Sequence, residues 1–138
     1  MHYQLDLEPA HSVIRLTILE EMVSLQCAET AYRHLRQVTS VGGPYAGIYD
    51  LTRVKGTSIP TEIIRALARR PPPVPTGRPH ILVGKAPVIF GLARLFQMTR
   101  EHVGELFDVV RTLEEAYAMV EVRPEDFTEH IFTTELVA

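Results

Sequence analysis

Apolar and polar positions change period repeatedly along this chain, and the changes divide it into nine elements. Tyr3, Leu5 and Leu7 alternate with polar residues, the period of a strand with one face in water. After the turn Pro9-Ala10-His11-Ser12, Val13 to Leu19 reads as a second strand, hairpin-paired with the first. Ser24 is a suitable N-cap, and Leu25, Ala28, Tyr32 and Leu35 follow at helical spacing, predicting a helix to about Val38. Gly42-Gly43-Pro44 breaks the chain, and Ala46 to Leu51 is short and apolar enough for a central strand.

A second helix is predicted from about Ile59 to Arg70, with Pro60 in its first turn and Ile59, Ile63, Ala66 and Leu67 as its core face. Pro71-Pro72-Pro73-Val74-Pro75 must end it, and Arg69 and Arg70 complement the dipole of its last turn. Ile81-Leu82-Val83 reads as a fourth strand. A third helix follows from Pro87 to about Val103, with Val88, Ile89, Leu92, Ala93, Phe96 and Val103 on one stripe. Leu106 to Val110 is a fifth strand. Thr112 then caps a fourth helix with Glu114 and Glu115 in its first turn and Ala116, Met119 and Val120 inward. The order β-β-α-β-α-β-α-β-α predicts an α/β domain over residues 1–122, a mixed, mostly parallel five-stranded sheet with four helices. Residues 123–138 form an acidic tail with isolated apolar positions (Phe127, Ile131, Phe132, Leu136), either draped on the domain or donated to a partner.

Composition narrows the class. Apolar residues make up 46% of the 138 and charged residues 22%, the balance of a globular domain. No apolar run reaches the roughly 18–20 residues of a membrane span. The start Met1-His2-Tyr3-Gln4-Leu5-Asp6 lacks the features of a signal peptide. The single cysteine, Cys27, excludes an internal disulfide; together these point to the cytoplasm. The net charge of −3 conceals segregation: residues 51–100 carry nine basic groups against Glu62 alone, net +8, whereas 101–138 carry two against ten acidic groups, net −8. Twelve of the fourteen basic residues are Arg, suited to bidentate pairing with anions, within the chain, across a dimer or with a partner. The basic segment lacks interleaved aromatics and a recognition-helix pattern, which argues against nucleic acid.

The chemistry concentrates after the third strand. Asp50 ends that strand, a short polar loop follows, and Ser58-Ile59-Pro60 opens a helix, an arrangement that places hydroxyls and free N–H groups at a strand's C-terminal end. Asp50 is expected to hydrogen-bond the loop N–H groups around Thr52 to Val54. Gly56 is expected to supply a positive φ or room for close approach. Ser58 reads as a helix N-cap or a phosphoacceptor, with Thr57 as a second candidate. Phe90, Arg94 and Gln97, with Glu101, share a predicted helix face away from the apolar stripe, either a solvated face or an anion or partner site. The six histidines show no metal-ligand spacing with one another or with Cys27. No nucleophile elbow, Walker loop or dinucleotide glycine pattern occurs. Neither a catalytic residue nor a metal or cofactor is expected, and the chain reads as a non-enzyme.

Asp50-Leu51-Thr52-Arg53-Val54, together with the element order over about residues 1–121, resembles the STAS / SpoIIAA-like family, the fold of anti-sigma-factor antagonists. Gly77-Arg78-Pro79-His80 and Phe90-Gly91-Leu92-Ala93-Arg94 are similar to segments of its divergent, largely uncharacterised branch. In STAS proteins an Asp-Ser-Ser/Thr-Gly segment then opens a helix and carries a serine modified by a partner kinase. Here Thr57-Ser58-Ile59-Pro60 stands in its place. The resemblance implies a regulatory or protein-interaction module acting through the loop after Asp50, with a kinase or anti-sigma-like regulator as partner. Two alternatives stay open. One is a small-molecule or lipid binder whose pocket is lined by Phe90, Arg94 and the 52–58 loop; the other is a structural homodimer with an exchanged tail.

Overall fold

The computed structural model describes residues 2–41, 44–72, 77–100 and 107–133. The expectations placed on Gly42 and Gly43, Pro73 to Pro75, Glu101, Val103, Leu106 and Leu136 lie outside them. Among the described residues, strands β1 (Tyr3–Glu8), β2 (Val13–Ile18), β4 (Ala46–Asp50), β6 (His80–Val83), β7 (Phe107–Val110) and β8 (Glu129–Thr133) form one sheet, ordered β7-β6-β4-β2-β1-β8. Pairings on the β4 side (β2–β4, β4–β6, β6–β7) are parallel, and those around β1 are antiparallel. Strands β3 (Met22–Val23) and β5 (Gly56–Thr57) make a separate parallel pair. Four helices complete the α/β architecture: α1 (Leu25–Val38), α2 (Thr61–Arg69), α3 (Pro87–Arg100) and α4 (Leu113–Met119).

The sheet has six strands rather than the expected five because part of the acidic tail is structured. Glu129 to Thr133 pairs with β1, with a register shift between Leu5 and Asp6. Strand β8 occupies the outer edge of β1, and the β1 positions that alternation predicts to be wet are not all exposed. Asp6 and Glu8 are buried. Asp6 receives Arg15 Nη2 at 3.3 Å and Gln4 Nε2 at 2.8 Å, and is bonded to His130 Nδ1 at 2.9 Å. Glu8 accepts the backbone N–H groups of Ala10 and His11, so both buried carboxylates are satisfied by partners.

Strand alternation divides the core into two layers. Ile14, Leu16 and Ile18 of β2 face Cys27, Ala31 and Leu35 of α1 and Ile89 of α3. Val13, Ile48, Ile81 and Val83 face Ala116 and Tyr117 of α4 on the other side. Ser24 and Thr112 are side-chain N-caps, accepting from Cys27 N and Glu115 N.

Several helix phases differ from expectation. In α1 the buried line is Cys27-Ala31-Leu35, with Leu25 exposed. In α2 it is Ile64 and Ala68, while Ile63 and Ala66 are exposed. Val88 of α3 and Met119 of α4 are exposed, and Tyr117 takes the inward place in α4.

Candidate functional site

The sheet face toward α1, α2 and α3 does not close into a solid core. Leu16 and Ile18 of β2, Tyr49 of β4, His80 and Leu82 of β6 and Phe107 of β7 form its floor. Ala28, Ala31, Tyr32 and Leu35 of α1 form one wall; Ile64 and Leu67 of α2 with Leu92, Ala93 and Phe96 of α3 form the other. The helices present alanines at three of these positions, so side chains do not fill the span between sheet and helices. What remains is a cavity of about 250 Å³, larger than the ~150 Å³ apolar hole that accepts benzene. Leu82, Leu92, Phe96 and Phe107 are each only half-buried, as expected of side chains bordering empty space.

Few polar groups reach this space. The Tyr49 hydroxyl is hydrogen-bonded to His80 Nδ1 at 2.8 Å, with the two rings stacked at 6.0 Å. Gly47 makes this pair possible. A Cβ there would lie 2.5 Å from the Tyr49 hydroxyl and 2.8 Å from His80 Nδ1. At the cavity's margin the buried Arg100 donates from Nη1 to Ala68 O at 2.9 Å and Arg70 O at 3.2 Å. A guanidinium on the last carbonyls of α2 both satisfies them and opposes the helix dipole.

The loop after Asp50 closes a further side. Asp50 is buried, and its Oδ1 accepts Thr52 N at 2.9 Å and Thr52 Oγ1 at 2.6 Å, the expected turn. Val54 N instead bonds Leu51 O. Gly56 serves close approach without a positive φ: a Cβ would meet Met22 Sδ at 2.9 Å. Thr57 Oγ1 donates to Val23 O at 2.7 Å and accepts Ile59 N at 3.0 Å. This fixes the turn into α2, and Leu51, Val54, Thr57 and Ile59 thereby line the cavity. Ser58 is not the N-cap of α2. It is exposed, and the cap position belongs to Pro60, which has no side-chain bond.

The second candidate face dissolves. Arg94 is exposed, but Gln97 is buried and donates from Nε2 to Phe107 O at 3.0 Å. Phe90 lies under the Arg111 guanidinium, 4.1 Å from its ring centroid, a cation–π contact that accounts for an aromatic there. Neither Phe90 nor Arg94 is in the described lining; α3 offers Ile89, Leu92, Ala93, Phe96 and Arg100 instead.

The fold also unites three residues whose sequence spacing gives no hint of it. His2, Glu20 and Cys27 bring ligand atoms within 4.8 Å of one another. Burial and the Glu20 carboxylate push the Cys27 thiol up to about 12, which suppresses its reactivity as a free nucleophile. Among the described residues no helix is long and apolar enough to cross a membrane. No protein-family model, no curated protein and no solved structure matches the chain.

Proposed function

We propose that this protein is a non-enzymatic binding module that holds a small apolar or amphipathic molecule between its sheet and helices α1, α2 and α3. The cavity carries this reading. At about 250 Å³ and lined mainly by apolar side chains, it is large enough for a small molecule, and an apolar occupant that binds only the folded chain would stabilise it by mass action. Tyr49, His80 and Arg100 are among the lining residues, but their polar groups are engaged with protein partners, which suits an occupant held mainly by apolar contact. Native mass spectrometry of gently purified protein tests the reading, followed by solvent extraction and displacement of an environment-sensitive dye by fatty acids and aromatic acids. Copurification of a small molecule, or saturable displacement at one site per chain, is the expected result. A ligand-free protein that takes up neither dye nor acids sinks it.

The regulatory role implied by the resemblance to STAS / SpoIIAA-like proteins is a second use of the same edge. Its support is the exposure of Ser58 beside two lining residues, Thr57 and Ile59. A phosphate at Ser58 would stand next to the start of α2, where the helix dipole favours negative charge. Intact-mass analysis of protein from its native host is the check. Absence of phosphate, together with unchanged partner capture by Ser58→Ala, removes this second use and leaves the first untouched.

A further inference from the structure

We infer that His2, Glu20 and Cys27 form a zinc-binding site, apart from the cavity, that staples the start of β1, the end of β2 and the first turn of α1. Each ligand comes from a different stretch, and the fold supplies reasons for their meeting. Leu19 N donates to His2 O at 2.8 Å, so the hairpin ends lie side by side and His2 faces Glu20. His2 Nδ1 and Glu20 Oε2 are 2.5 Å apart. The other Glu20 oxygen, Oε1, accepts Ser24 N at 3.1 Å and Ser24 Oγ at 3.2 Å. Ser24 Oγ in turn accepts Cys27 N at 3.1 Å. One cap residue therefore orients both the carboxylate and the turn that carries the thiol. This is the outer-shell support that ligating carboxylates commonly have.

Geometry and charge favour zinc. Tetrahedral zinc with bonds of about 2.0–2.3 Å separates its ligand atoms by roughly 3.3–3.7 Å. The three atoms here lie within 4.8 Å of one another, so shifts of about 1 Å would seat the ion. The His2 side chain is 32% exposed, and rotation of its ring can supply that movement. A thiolate and a carboxylate together neutralise a divalent cation, while the imidazole binds neutral; a partly buried site then carries no net charge. Imidazole and thiolate ligands select zinc over calcium or magnesium. On binding, the Cys27 S–H bond gives way to an S–Zn bond and the proton leaves to solvent. Cys27 is buried while His2 and Glu20 are partly exposed, so the fourth position opens toward water.

The test is calorimetric titration of zinc chloride into chelator-treated, full-length protein lacking any polyhistidine tag. The expected result is one ion per chain with micromolar or tighter affinity, weakened at least tenfold in Cys27→Ser and in His2→Ala. Cobalt(II) provides a readout independent of the variants' folding: the wild-type protein should show a thiolate-to-metal charge-transfer band. Absence of that band, zinc binding no tighter than millimolar, or equal affinity in wild type and a folded Cys27→Ser would each overturn the proposal.

Discussion

Replacing Ala93 with leucine distinguishes an open cavity from a closed core by the sign of its effect. Ala93 is 4% exposed, and its side chain borders the cavity from α3. Leucine adds three carbons. If they enter empty apolar space, burial contributes about 0.8 kcal/mol each, up to ~2.4 kcal/mol. Leucine's slightly lower helix propensity removes a few tenths of a kcal/mol, and imperfect rotamer fit removes more, leaving a gain of about 1–2 kcal/mol. Unfolding entropy of about 2.1 cal/mol/K per residue, taken over 138 residues, makes 1 kcal/mol worth roughly 3–4 °C. The melting temperature should therefore rise by about 3–7 °C, and ligand uptake should fall. Ala116→Leu is the matched control, because Ala116 is fully buried in the opposite layer against Ile48 and Ile81. There the added carbons overpack, costing about 1–3 kcal/mol. Circular-dichroism melts of both variants decide the matter. A fall in melting temperature for Ala93→Leu as large as for Ala116→Leu would show that the helices pack closed, and the binding reading would fail with it.

Other consequences follow from the same geometry. Gly47→Ala puts a methyl 2.5 Å from the Tyr49 hydroxyl and should cost about 1–3 kcal/mol; adding Tyr49→Phe, which removes the obstructing oxygen, should recover part of that loss in chemical denaturation. Ser58→Ala should change stability by less than about 0.5 kcal/mol, because Ser58 is exposed and Pro60 holds the cap position. Thr57→Val removes both turn bonds and should cost about 1–2 kcal/mol, so equal losses at the two positions would refute this assignment. His34 is held below its ordinary pKa by burial. Its stabilising contribution is then present above the unfolded value of about 6.5 and is lost as pH falls through the folded value. The imidazole resonance of His34 in a proton NMR titration should move below pH 6.5, and a midpoint above 6.5 would contradict the burial.

The element order is legible in the sequence because it depends on local signals: turn residues at Pro9 to Ser12, caps at Ser24 and Thr112, and the proline stop after Arg70. What escapes depends on partners distant in the chain. Glu129 to Thr133 carries too little apolar pattern to announce a strand; it becomes one by pairing with β1 and giving Asp6 a partner in His130. Strands β3 and β5 are two residues each, too short for any periodicity. Gln97 reads as polar surface on a helical wheel, yet the Phe107 carbonyl draws its amide inward. The zinc ligands are separated by 18 and seven positions, and only the hairpin and the Ser24 cap bring them together.

The displaced helix stripes carry one more argument. For α1 the sequence favours Leu25, Ala28, Tyr32 and Leu35, and for α3 Val88, Ile89, Leu92, Ala93, Phe96 and Val103; Leu25 and Val88 are exposed, Val103 lies outside the described residues, and the others border the cavity. The fully buried line in α1, at Cys27, Ala31 and Leu35, shares only Leu35 with that stripe. An apolar stripe wider than the line in tight contact means that the helices carry more hydrophobic surface than their packing consumes. In α3 Leu92 and Phe96 line the cavity and are half-buried. Apolar surface turned inward and left uncovered is stabilised only by something that fills the space. The breadth of these stripes is therefore what the proposed binding role would require of the two helices.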